Sequence, residues 1–259
     1  MQLGLEGKVA LIAAGSRGIG RATALSLSRE GASVAICARG EQDLHKTVAE
    51  CEGPSLGVQA DVRNSSEVKD FVTETNETFG KIDILVNNAG GPPPGGFENM
   101  SLEDFEEAIE LNLMSTVRLT KEVLPHIKKQ PWGRIITITS VSVKEPLENL
   151  VLSNMARSGA TSALKTLAGE IADEQITVNT VLPGMTWTDR MRQLTEDRAE
   201  REEISLEQAK QETVEEVPMK RWGEPEEIAD VITFLASNRA SFVTGTQVQV
   251  DGGFIRGLL

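Results

Sequence analysis

The chain has 259 residues, 39% of them hydrophobic and 25% charged, with a formal net charge of −13; the length carries one ample core, and acid spread over many short segments repels nucleic-acid phosphates and disfavours acidic partners. No apolar run reaches membrane-spanning length, and the start, MQLGLEGKVALIAAG, lacks the basic and apolar regions of a secretory signal, so the protein is expected to be cytoplasmic with no membrane partner. Cys37 and Cys51 are isolated, without ligand-like spacing; both are expected to be buried, reduced thiols, and no metal site is expected.

The first predicted strand is the apolar run KVALIAAG (Lys8 to Gly15), followed by a helical pattern through GRATALSLSREG and a second apolar run, ASVAICAR, which together make a βαβ unit. The alternation continues through SLGVQADV, IDILVNNAG, GRIITITSVS, ITVNTVLPG and GTQVQVDGG, each separated from the next by helical periodicity. About seven strands alternating with helices predict a single α/β domain, residues 1–259, with a Rossmann-like, doubly wound parallel sheet whose ligands sit outside the carboxyl ends of the strands. GGPPPGG (Gly90 to Gly96) reads as a loop, either a pocket wall or a plain surface turn. The stretch 187–217, rich in Glu and Arg and inserted after the sixth strand, is a candidate lid; between Asp189 and Glu216 it carries ten acidic and five basic residues.

Gly15, Gly18 and Gly20 lie between the first strand and its helix, where missing side chains let backbone N–H groups and the helix N-terminus approach a pyrophosphate. At the end of the second strand, where an acidic residue would bind a ribose 2′-hydroxyl, stands Ala38, followed by Arg39. Arg39 and Arg17 supply two guanidinium groups that suit the 2′-phosphate of NADP(H) better than the diol of NAD(H).

These residues together resemble the short-chain dehydrogenase/reductase family, in particular its β-ketoacyl-ACP-reductase-like members, over essentially the whole chain. AAGSRGIG stands where the family has TGxxxGxG, so that Gly15, Ser16, Arg17, Gly18, Ile19 and Gly20 form the cofactor loop. QADV offers Asp61 and Val62 as adenine contacts, and NNAG offers Asn88, Ala89 and Gly90. The helix asparagine is Asn112 and the catalytic serine Ser140; Pro183 and Gly184, then Thr186 and Thr188, resemble the nicotinamide contacts, and DGG from Asp251 completes the match. The resemblance also implies a homotetramer or homodimer packed through the helices carrying Asn112 and Ser153 and through the last strand, and a small-molecule carbonyl or alcohol as substrate.

Two positions depart from the family. Ala14 replaces the first glycine, putting a methyl group beside the cofactor loop. The catalytic tyrosine would lie thirteen residues after Ser140, which is Ser153, and the lysine four residues further, which is Arg157; the chain has no tyrosine at all. The i, i+4 spacing puts Ser153 and Arg157 on one helix face, so the register holds while the residue types change. Ser153 is shorter and far less acidic than a phenol, and Arg157, with an ordinary pKa above 12, can still bind the cofactor through its ribose hydroxyls and supply positive charge but shuttles protons poorly. A positioned proton donor contributes roughly 10²- to 10⁴-fold, so a reductase without one retains hydride positioning and electrostatic stabilisation, with Arg157 and Ser140 stabilising an alkoxide and water supplying the proton. Lys144, Glu145 and Glu148, in the loop after Ser140, are substitute donors or simply solvated charges, and His126 falls on the wrong side of the sheet. Trp187 either faces the substrate or anchors the lid. The expected function is an atypical NADP(H)-linked carbonyl oxidoreductase; the alternatives are a non-redox isomerase, hydratase or lyase on the same scaffold, and a silent NADP(H) sensor.

Overall fold

The computed structural model describes residues 2–258; Met1 and Leu259, the ends of the expected 1–259 domain, lie outside the described residues. Seven strands form one parallel sheet in the order β3-β2-β1-β4-β5-β6-β7: β1 (Val9–Ile12), β2 (Ser33–Ala38), β3 (Ser55–Gln59), β4 (Ile84–Asn87), β5 (Gly133–Ile138), β6 (Ile176–Pro183) and β7 (Gln247–Val250). Every predicted strand is present, trimmed at its ends. The trimmed residues matter, because Ala13–Gly15, Asn88–Gly90 and Thr139–Ser140 leave the sheet at its carboxyl edge and become the linings of a crevice. That crevice opens where the strand order reverses, between β1 and β4.

The inner strands read as near-continuous apolar runs because both faces are covered. Alternate residues face opposite layers. Ala10, Ile12, Val34, Ile36, Ile136 and Ile138 pack with Leu27 of α1 (Gly18–Arg29) and with Ile228 and Ile232 of α9 (Pro225–Leu235). Their neighbours Leu11, Ala35, Leu85, Ile135 and Val178 pack on the other face. There they meet Phe71 of α3 (Ser65–Phe79), Leu119 and Val123 of α5 (Ser115–Ile127), and Leu164 of α6 (Val151–Glu170). Cys37 is fully buried in this second layer, and burial pushes its thiol up to about 12. Cys51 corrects its expectation: at the end of α2 (Glu41–Glu50) it is half-buried rather than buried, because the helix ends at the rim of the sheet. Both thiols are free.

The helix entering β5 is less regular than periodicity implies. Helix α4 (Leu102–Ala108) runs into α5 through one π-helical segment, Ile109–Met114, which contains Asn112. Wide turns of this kind locally loosen the i→i−4 ladder and are often found at functional sites. His126 lies in the last turn of α5 and is hydrogen-bonded to Asn76, away from the carboxyl edge, as its sequence position implies.

Buried amides tie the carboxyl edge together. Asn87 Nδ2 donates to Thr120 Oγ1 on α5 (3.0 Å) and to Thr137 Oγ1 on β5 (3.1 Å). Asn179, buried in β6, donates to Val243 O (2.7 Å) and accepts from Thr246 N, docking the approach to β7. Losing both Asn87 bonds, at about 1 kcal/mol each, is expected to destabilise Asn87→Ala by about 2 kcal/mol and lower Tm by roughly 4–8 °C. Thermal denaturation followed by circular dichroism checks this; an unchanged Tm shows that Asn87 does not brace β4.

Candidate active site

The glycine loop is built for close approach. A Cβ on Gly20 would meet Ala14 O at 2.4 Å and Asn88 Nδ2 at 2.7 Å, and one on Gly15 would meet Ile36 at 2.8 Å. Gly18 has φ +52, a left-handed angle that favours glycine. Asn88 Nδ2 donates to Ala14 O (3.2 Å), and Gly15 N donates to Cys37 O (3.0 Å), which clamps the loop between β4 and β2. Helix α1 starts at Gly18 with no side-chain cap and no acidic residue in its first turn. By contrast, Asn64, Ser101, Thr188 and Ser205 cap α3, α4, α7 (Asp189–Glu202) and α8 (Leu206–Val214). Uncapped N–H groups at a positive dipole end, beside a cradle that any Cβ would fill, suit a pyrophosphate. Ser16 and Ile19 complete this loop, and Ser16 O accepts a hydrogen bond from Thr47.

Ala14 adopts φ 47, a left-handed conformation that costs a non-glycine residue about 1–2 kcal/mol.

At the ends of β2 and β3, Arg39, Gln59, Ala60, Asp61 and Glu67 line a cavity of about 400 Å³. Asp61 accepts a bidentate pair from Arg63, which holds its carboxyl below the usual carboxylate range. Glu67 accepts from Asp61 N (2.7 Å). Val62 is buried, with its carbonyl bound by Arg118. Arg39 forms no ion pair among the described residues. Arg17 Nε donates to Asp43 Oδ2 (2.6 Å) in an exposed ion pair with α2.

Across the crevice, Asn112 is buried and donates through Nδ2 to Gly90 O (2.9 Å), while its Oδ1 is enclosed without a partner. Ala89 and Gly90 follow β4, and nothing lies within 4 Å of where a Cβ on Gly90 would stand. Ser140 leaves β5 in extended conformation, and its Oγ accepts from Ser142 N (3.1 Å) at the head of a short 3₁₀ turn, Val141–Val143. Thr139 Oγ1, one residue earlier, is enclosed and unpartnered. On α6, Arg157 Nε donates to Ser153 Oγ (3.1 Å) and Nη1 to Thr139 O (2.9 Å) and Ile138 O (3.4 Å). The shared helix face read from i, i+4 spacing is thus a direct hydrogen bond aimed at the end of β5. Burial pushes the Arg157 guanidinium down from its ordinary value to about 10.

Pro183 ends β6, and Gly184 packs against Asp251 with no room for a Cβ. Thr186 is buried, and its Oγ1 donates to Gly184 O. The Thr188 side chain would touch a Cβ on Gly18 at 3.3 Å, so the foot of α7 stands against the glycine loop. Trp187 packs edge-on against Trp222 (ring centroids 4.9 Å apart), with Lys210 over its ring at 4.8 Å; it anchors the 187–217 segment. The Gly90–Gly96 loop is held as a wall: Gly95 N donates to Asn149 O (2.6 Å), and Arg190 Nη2 donates to Pro92 O (3.2 Å). Lys144 is half-buried, whereas Glu145 and Glu148 are exposed, and none of the three forms an ion pair among the described residues. Three contributors were not legible in sequence: the β5 carbonyls that receive Arg157, the orphaned Thr139 hydroxyl, and Asn154, which donates to Leu147 O (2.9 Å) and fixes the loop after Ser140. Only the neighbourhood of the Ser140 and Ser153 matches hinted at them.

No helix among the described residues is long and apolar enough to cross a membrane, and no cluster of three or more His, Cys, Asp or Glu side chains comes together among them. Residues 13–255 match the family model described as Enoyl-(Acyl carrier protein) reductase. The 3-oxoacyl-(acyl-carrier-protein) reductase of Synechocystis sp. is 36% identical over 97% of this chain and 98% of its own length. The corresponding enzyme of Staphylococcus epidermidis is 34% identical over 95% and 98%. Among solved structures, the L-sorbose reductase of Gluconobacter frateurii, complexed with NADPH and L-sorbose, superposes with a TM-score of 0.95 at 31% identity, covering 100% of both chains.

Relieving the φ strain at residue 14, less the entropy that a glycine adds to the unfolded chain, is expected to make Ala14→Gly more stable by about 0.5–1 kcal/mol. Chemical denaturation midpoints test this; a destabilised variant shows that the methyl group packs more favourably than its backbone angle costs.

Proposed function

Since this chain belongs to the short-chain dehydrogenase/reductase family and is 3-oxoacyl-ACP-reductase-like, we propose that it is an atypical NADP(H)-dependent oxidoreductase, transferring hydride between the nicotinamide and a small carbonyl or alcohol substrate. The feature that supports this reading is the hydrogen bonding of Arg157 to Ser153 and to the residue before Ser140 at the end of β5, with Asn112 bonded to Gly90 after β4 and the N-terminus of α1 uncapped.

In this reading Gly15 to Gly20 and the α1 amides hold the pyrophosphate, Asp61 and Val62 the adenine, and Asn88 to Gly90 with Pro183, Gly184, Thr186 and Thr188 the nicotinamide half. A nicotinamide bound there supplies or accepts the hydride. Arg39, unpaired beside a cavity whose carboxylates are already satisfied, favours a 2′-phosphate and hence NADP(H). Ser140 Oγ is fixed as an acceptor by Ser142 N, which leaves its own proton free to donate to the substrate oxygen. Arg157 brings a fixed positive charge to the same edge, stabilising an alkoxide in a poorly hydrated site. Solvent supplies the proton, since Arg157 at about 10 remains charged at neutral pH. The 187–217 segment acts as a lid whose foot meets both the glycine loop and the Pro92 wall. Exposed Leu102 and Met155 on α4 and α6, and Phe234 and Phe242 near β7, favour a homodimer or homotetramer; we place the protein in the cytoplasm.

NADPH oxidation with a panel of ketones, aldehydes and oxoacyl compounds, measured alongside NADPH affinity, tests the reading. Ser140→Ala is expected to lose roughly 10²- to 10³-fold in kcat with cofactor affinity retained. Tight NADPH binding with no turnover on the whole panel overturns the reductase. For the cofactor, Arg39→Ala is expected to weaken NADPH by about 1.5–3 kcal/mol while leaving NADH nearly unchanged; equal losses for both reject the 2′-phosphate contact.

A further inference from the structure

Arg157 is a cation without a counter-charge. Its hydrogen bonds run to Ser153 Oγ, Thr139 O and Ile138 O, all neutral oxygens, and it forms no ion pair among the described residues. Nη2 takes no part in these bonds, nor is it among the enclosed polar atoms that lack a partner, so it keeps some exposure. A half-buried guanidinium held only by neutral acceptors is poorly compensated, and an anion that docks on it recovers the difference.

The cofactor does not offer that anion. Its phosphates belong at the glycine loop beyond β1, two strand spacings or about 10 Å from the end of β5, and a nicotinamide ribose is neutral. The anion therefore comes with the substrate. A planar fork with one edge free suits a carboxylate, the group that arginine binds with the best geometry.

Resting on the reductase reading above, we propose that the substrates are free oxo acids whose carboxylate is held by Arg157 while Ser140 contacts the reacting carbonyl. Arg157 is bonded to the residue immediately before Ser140, so the two groups belong to the same strand end. This sets the chain apart from a reductase of carrier-borne thioesters, whose acyl group has no free carboxylate. The surface agrees, since ten acidic against five basic residues over Asp189–Glu216 disfavour an acidic carrier protein. A small acid passes that surface more readily, because solvated charges are screened within about 8 Å at physiological salt.

The test separates this inference from the reductase reading. Malonate, which has no reducible carbonyl, is titrated by calorimetry into the wild-type NADPH complex and into the Arg157→Gln and Arg157→Lys complexes. Binding to wild type, lost at least tenfold in Arg157→Gln and partly kept in Arg157→Lys, supports the proposal; no binding, or binding unchanged in Arg157→Gln, overturns it. Thermal melts and NADPH affinity of each variant identify any that has merely unfolded, and Arg157→Lys, which keeps the charge, then carries the comparison. Turnover of acetoacetate is compared with that of methyl acetoacetate, its neutral ester. A preference for the acid of at least tenfold in kcat/KM, erased by Arg157→Gln, supports the assignment, and equal use of both compounds overturns it. Malonate binding through Arg157 with no carbonyl turned over would reject the reductase reading while leaving the acid site standing.

Discussion

All seven strands run the same way, and most of the architecture follows from that constraint. Each crossover must return along one face of the sheet, which buries both faces, and each strand must deliver its chain to the same edge. Residues that share no sequence neighbourhood, the glycine loop after β1, Asn88 after β4, Ser140 after β5 and Pro183 after β6, are thereby gathered within a few strand spacings of each other. The edge is polar where the sheet is apolar, so its groups need internal partners, and Asn87, Asn88, Asn112 and Asn179 provide them through side-chain hydrogen bonds to neighbouring loops and helices.

Within that frame, Ser153 and Arg157 set the electrostatics of the end of β5. A lysine presents a point charge on a flexible stem. The arginine spreads its charge over a rigid fork, and here two of its nitrogens are spent on the β5 carbonyls and on Ser153. The guanidinium is consequently immobile, a fixed source of positive potential at the strand end rather than a mobile proton handler. The π-helical segment at Asn112 and the left-handed Ala14 belong to the same edge.

Strand positions, layer order and the crevice were legible because a parallel sheet writes itself as apolar runs at regular intervals, with glycines and asparagines where the chain turns out. The shared face of Ser153 and Arg157 was legible from helical spacing alone. What Arg157 bonds to was not, because its acceptors are backbone carbonyls, and carbonyls carry no residue-type signature. The pairing of Arg17 with Asp43 was hidden for a different reason: it joins two helices 26 residues apart, and the charge of Arg17 looks the same in sequence whether free or engaged. Nor did periodicity reveal the π turn, since apolar residues on α4 and α5 fit an ordinary helix equally well.

The aromatic content gives the start of the 187–217 segment an optical identity. With three tryptophans and no tyrosine, ultraviolet emission comes from indoles, and two of them, Trp187 and Trp222, touch each other under the cations of the 187–217 segment. The third, Trp132, lies at the amino edge of the sheet between Lys8 and Arg134, away from the crevice. Any rearrangement of the segment alters the contact between the two paired rings while leaving the third as an internal reference, so the native chain carries its own reporter of that segment's position.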